Sequence, residues 1–151
     1  METNNQSIDI LNELLQKNYE AEKGYRNAAE KAKNIRLKDF LLQNADIREG
    51  SAIDLAEEIL ELGGEPVTDT STLSDLHRSW INFKSSFTSD KNDAVIEECI
   101  RGENAALKDY NKALSNPDLN KSSVALLEEQ RAEIYESINE LEALEKAEDL
   151  L

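Results

Sequence analysis

The sequence predicts an all-α fold, a bundle of four long helices built as two antiparallel hairpins joined by a long crossover. Apolar residues recur at three- and four-residue spacing along most of the chain, the period of a helix with one buried face. No segment alternates apolar and polar residues as a half-buried strand would. The only two prolines, Pro66 and Pro117, stand where a long helix has to stop. A length of 151 residues suits one domain over 1–151, with a core that needs no disulfide or metal to hold it.

The elements follow in order. The first helix runs from a cap at Ser7 to about Lys33. The second covers Ile35–Leu62, where Gly63-Gly64 ends it and Glu65-Pro66 prevents continuation. Val67–Thr72 is a turn-rich linker. A shorter helix over Leu73–Phe87 places Leu73, Leu76, Trp80, Lys84 and Phe87 on one face, with Trp80 and Phe87 pinning it to the bundle. The third long helix starts at a cap near Asp90 and ends near Leu114. The stretch SNPDLN (115–120) breaks the chain, and the fourth helix occupies Lys121–Leu150. Tight turns make each consecutive pair a hairpin, and the helix at 73–87 rides on the crossover.

Composition removes several function classes. The net charge is −15, from 17 basic and 32 acidic residues. Such a surface repels phosphate backbones and anionic lipid, so neither nucleic acid nor a membrane is an expected partner. No apolar run approaches the length of a membrane span or signal sequence, which makes the cytoplasm the expected compartment. The single cysteine, Cys99, agrees with a reducing environment and reads as a small buried apolar residue. One histidine, His77, leaves no Ser/His/Asp set, and neither a Cys-x-x-Cys pair nor a phosphate-binding glycine loop is present.

Placing residues at about 100° per position gives each long helix a stripe that is apolar at its ends and polar at mid-height. The first carries Leu11, Leu15, Asn18, Glu22, Tyr25 and Ala29. The second carries Leu37, Leu41, Asn44, Arg48, Ser51, Leu55, Ile59 and Leu62. The third carries Ile96, Cys99, Glu103, Ala106, Leu107, Tyr110 and Leu114, and the fourth Leu127, Gln130, Ile134, Ile138 and Leu141. A buried carboxylate is costly unless it is paired. The expected outcome is a core polar cluster of Asn18, Glu22, Tyr25, Asn44, Arg48, Glu103, Tyr110 and Gln130. In it the Arg48 guanidinium neutralises Glu22 and Glu103 through a planar fork of donors. The hairpins also echo each other: Asn18 precedes Tyr25 by seven residues, as Glu103 precedes Tyr110.

At these residues the chain resembles the ferritin-like superfamily. LNELLQKNYEAEKGY (11–25) is similar to the first helix of bacterioferritins, and AEEILELGGEP (56–66) to the end of their second. LHRSWINFK (76–84) followed by ECIRGENAALKDYNKAL (98–114) resembles a bacterial family of ferritin-like four-helix-bundle proteins of unknown function. The resemblance implies a di-iron layer of one Glu from each of two helices and a Glu-x-x-His from each of the others. Carried over position by position, that pattern falls on Asn18, on Arg48 and Ser51, and on Glu103, and the fourth helix holds no histidine. Only Glu103 matches. The expected function is therefore a non-catalytic bundle without cofactor, in a structural, binding or stress-associated role. The alternative is an all-carboxylate site for a divalent metal such as iron or manganese, using Glu22, Glu98, Glu103 and Glu133. A small-ligand pocket beside Tyr25 and Tyr110 is a third reading, and the fold resemblance implies a homodimer.

Overall fold

A computed structural model describes residues 2–68 and 92–149. They form α1 (Glu2–Lys31), α2 (Ile35–Glu61), α3 (Asn92–Leu114) and α4 (Lys121–Asp149). No strand occurs among the described residues, so the fold is an all-α four-helix bundle, as the periodicity predicts. The helix expected over 73–87, the cap at Asp90, and His77, Trp80 and Phe87 lie outside the described residues. No described helix is long and apolar enough to cross a membrane.

α1 packs along α2 and α3 along α4, and the hairpins meet through α1 against α3 and α2 against α4. Contacts along these seams fix the directions. Tyr25 and Ala29 share one apolar cluster with Leu37, Leu41, Ile96, Cys99 and Leu141, while Leu11 and Leu15 share the other with Leu55, Ile59, Tyr110, Ala113, Leu127 and Ile134. Residue numbers rise on one helix as they fall on its neighbour, so all four neighbouring pairs are antiparallel. α2 and α3, diagonal to each other, therefore run parallel. This up-down-down-up order is the one that a single long crossover produces.

The ends of the elements follow local chemistry. Asn34, in extended conformation, accepts the Leu37 N–H at 3.0 Å and caps α2, which is why α1 stops at Lys31 rather than Lys33. Ser7 is no cap. It is buried inside α1, where its hydroxyl accepts the Asn120 N–H at 3.1 Å and ties α1 to the turn before α4. At the other end of α2, Gly63 donates to Leu60 O at 3.0 Å and Gly64 to Ile59 O at 2.9 Å. That is a Schellman ending, and Gly63 takes the positive φ of 87° that it requires. The tail then returns along α1, with Val67 N–H donating to Asn12 Oδ1 at 2.9 Å.

The apolar interior falls into two clusters. One holds Tyr25, Leu37, Leu41, Ile96, Cys99 and Leu141, and the other Leu11, Leu15, Leu55, Ile59, Leu127 and Ile134. Polar side chains separate them at mid-height. Gly63→Ala should cost about 1–2 kcal/mol, because a Cβ at this φ crowds its own carbonyl, and urea unfolding measures the loss.

Candidate functional site

The layer between the two apolar clusters centres on Arg48 of α2. Its side chain and that of Glu103 on α3 are both buried, and Arg48 Nη2 donates to Glu103 Oε1. Nη1 donates to Asn18 Oδ1 at 3.1 Å. Asn18 Nδ2 in turn donates to the Tyr110 hydroxyl at 3.0 Å and to Leu14 O at 2.8 Å. Tyr110 donates to Gln130 Oε1 at 2.7 Å, and Gln130 Nε2 closes the circuit on Ser51 O at 3.1 Å. One chain of hydrogen bonds thus visits all four helices, and its buried members polarise one another.

Electrostatics follow from that burial. Desolvation alone would disfavour the Arg48 cation, yet the Glu103 charge, with Tyr25 and Tyr110 beside it, holds the guanidinium above its usual high value. Tyr25 lies against Glu103, and burial first, then that charge, push its hydroxyl well above the ordinary phenol range. Burial likewise raises Tyr110, against the opposing pull of Arg48. Cys99, fully buried, is raised by desolvation and by Glu103, so the thiol stays protonated and inert. Glu103 Oε2 has no hydrogen-bond partner among the described residues.

Seven of the eight residues expected in the polar cluster are buried: Asn18, Tyr25, Asn44, Arg48, Glu103, Tyr110 and Gln130. The exception is Glu22. It is half-buried on the α1–α2 seam and accepts from Arg26 Nε at 2.9 Å, while the same guanidinium reaches Asp46 and Glu49 at 3.2 and 2.7 Å. The expected Arg48–Glu22 pairing is corrected accordingly. Ala21 takes the inward position, and Glu22, one residue on, turns toward solvent and a nearer cation.

Three further buried polar residues, Glu58, Ser123 and Ser137, are absent from the mid-height stripes. Asn44 accepts from Ser137 at 2.6 Å, and Glu58 accepts from Ser122 at 2.6 Å and Ser123 at 2.7 Å. With Ser51 and Gln130 these form a ladder in which residues seven apart on α2 (44, 51, 58) meet residues seven apart on α4 (137, 130, 123). The heptad spacing of polar residues on both helices is the signal that would have revealed it. Glu20, also buried, was missed as well.

A cleft of about 250 Å³ between α1 and α3 reaches Asn18, Arg48 and Tyr110, under a rim that includes Lys17 and Asp109. Those three groups are already engaged with one another.

The residues do not fit a di-iron layer. Among the described residues no group of three or more His, Cys, Asp or Glu could hold a metal ion. Of the four carboxylates considered for a metal, Glu22 pairs with Arg26, Glu98 with Arg101 at 2.9 Å, and Glu103 with Arg48. Glu133 stands at the α2–α4 edge of the layer.

Residues 6–116, well over half of the chain, match the family described as Domain of unknown function (DUF2383). The chain belongs to that family. The DUF2383 match takes in Asn18, Arg48, Glu103 and Tyr110, and ends before Gln130. No curated protein matches the chain.

Removing Arg48 would strand Glu103. Arg48→Met is expected to lose about 3–5 kcal/mol in urea unfolding, and adding Glu103→Leu to recover a large part of it. Recovery distinguishes an unpaired charge from lost packing. Glu133 gives a pH test. Burial first, then Glu129, raise its carboxyl, so the native state holds the proton more tightly than the unfolded chain. Stability is then lost as pH rises above the ordinary carboxylate value of about 4.3. Glu133→Gln should raise the unfolding midpoint at pH 7, with the gain shrinking toward pH 4.

Proposed function

We propose that this chain is a non-catalytic bundle of ferritin-like architecture, in which a buried arginine–carboxylate pair does the electrostatic work that a pair of metal ions does in the metal-bearing relatives of that fold. The observation that carries the reading is the Arg48–Glu103 ion pair at mid-height. Arg48 is a permanent cation, and it projects into the layer where ligands would have to converge. The parallel run of α2 and α3 and the glycine ending of α2 support the architecture. The role that follows is structural or binding, performed by surfaces and not by redox chemistry, in a chain that forms one domain.

The all-carboxylate alternative requires Glu22, Glu98, Glu103 and Glu133 to share an ion. Three of them hold an arginine instead. A divalent cation entering the layer would meet the Arg48 charge and would have to displace it from Glu103.

Elemental analysis of protein purified without added metal, followed by ferrous iron titration in air, tests the reading. The expected result is substoichiometric metal and iron oxidation no faster than in buffer. Stoichiometric retention of iron or manganese, or oxidation that saturates with protein, would overturn it.

A further inference from the structure

α2 exposes five large apolar residues to solvent; Ile47 stands apart, about 120° round the helix, and the other four line its outward face. Ile35 is 74% exposed, Leu42 38%, Ile53 53% and Leu60 61%. Spacings of seven and eleven residues keep them within about 20° of one line on a helix that turns about 100° per residue. Single exposed apolar side chains need no explanation, but a line of four running the length of one helix does.

The line is symmetric. Ile35 and Leu60 stand equally far from the step between Ile47 and Arg48, and so do Leu42 and Ile53. An antiparallel copy of α2 turned about that point would set Ile35 on Leu60 and Leu42 on Ile53, at both ends at once. Charge follows the same symmetry. The exposed charged residues of the first half are Arg36, Lys38, Asp39 and Asp46, with both cations at its outer end, whereas those of the second half are all acidic: Glu49, Asp54, Glu57 and Glu61. Antiparallel docking lays the basic end of each helix over the acidic end of the other, while parallel docking would stack acid on acid. At the centre, Asp46 and Glu49 are already held by Arg26 at 3.2 and 2.7 Å, which reduces their repulsion across the axis.

We propose that this stripe is a self-association surface, on which a second copy of the chain docks with its α2 antiparallel about a two-fold axis at the Ile47–Arg48 step. A patch that is its own complement is the requirement of an isologous interface. The surface is independent of the buried layer, so it stands or falls apart from the reading of that layer.

Sedimentation velocity on the full chain over a concentration series should show a reversible dimer. Ile53→Glu, at a solvent position that leaves folding intact by circular dichroism, should weaken it by about tenfold or more. Disulfide trapping supplies the register. Leu42→Cys mixed with Ile53→Cys should cross-link on oxidation, whereas Leu42→Cys alone should not. Its two copies would lie about 16 Å apart along the axes, beyond the roughly 7 Å that a disulfide spans between Cα atoms. Cys99 is buried and does not compete. A chain monomeric at every concentration, a dimer indifferent to Ile53→Glu, or cross-linking of Leu42→Cys alone would overturn the proposal. So would retention of the monomer by a different protein through this stripe.

Discussion

A buried cation cannot stand alone, and the interior of this bundle is arranged around that constraint. Taking Arg48 and Glu103 out of water costs several kcal/mol for each ion, and their attraction repays it only when the remaining donors and acceptors are used. Asn18 takes a second guanidinium donor, Tyr110 takes the Asn18 amide, and Gln130 takes Tyr110. Each partner comes from a different helix. The apolar core is therefore not continuous but two clusters on either side of a hydrogen-bonded plate. Apolar replacement of a buried ion pair is often neutral or stabilising, so added stability is not what distinguishes the plate; its hydrogen bonds tie each helix to another at mid-height.

The acids of the chain show the same constraint. Negative charge far exceeds positive, yet at the seams and in the interior the scarce arginines are placed beside carboxylates: Arg26 with Glu22, Asp46 and Glu49, Arg101 with Glu98, and Arg48 with Glu103. A metal ion supplies charge that can leave. An arginine supplies charge that is covalently part of the fold and does not depend on metal supply, and it cannot take part in electron transfer. Within the proposed reading, that exchange sacrifices chemistry and keeps architecture.

Helix identity, hairpin pairing and the buried stripe of each helix were legible in the sequence, because periodicity and punctuation are local. Every residue placed on the α4 stripe is buried, from Leu127 to Leu141. Glu22 was misplaced because an angular reading does not resolve neighbours such as Ala21 and Glu22 at a stripe's edge; the choice was made by Arg26 one turn away. Ser7 reads as a cap because serine is favoured at helix N-caps, but α1 begins at Glu2 and the Ser7 hydroxyl is used in a tertiary contact with Asn120. Glu58, Ser123 and Ser137 were missed because serine is so often exposed, and a carboxylate in the second half of a helix looks like surface. Their pairing depends on a neighbouring helix that local spacing does not identify.

The α2–α4 ladder acts as a ruler with repeating marks. Sliding α4 by one heptad would put Asn44 opposite Gln130 and Ser51 opposite Ser123, still polar against polar. The rungs alone therefore discriminate poorly against a slipped bundle. Gln130 removes the ambiguity, because its carbonyl is claimed by Tyr110 from α3. After a slip, that phenol would face a serine too short to reach it. One amide, shared between two helix pairs, sets the zero of the scale.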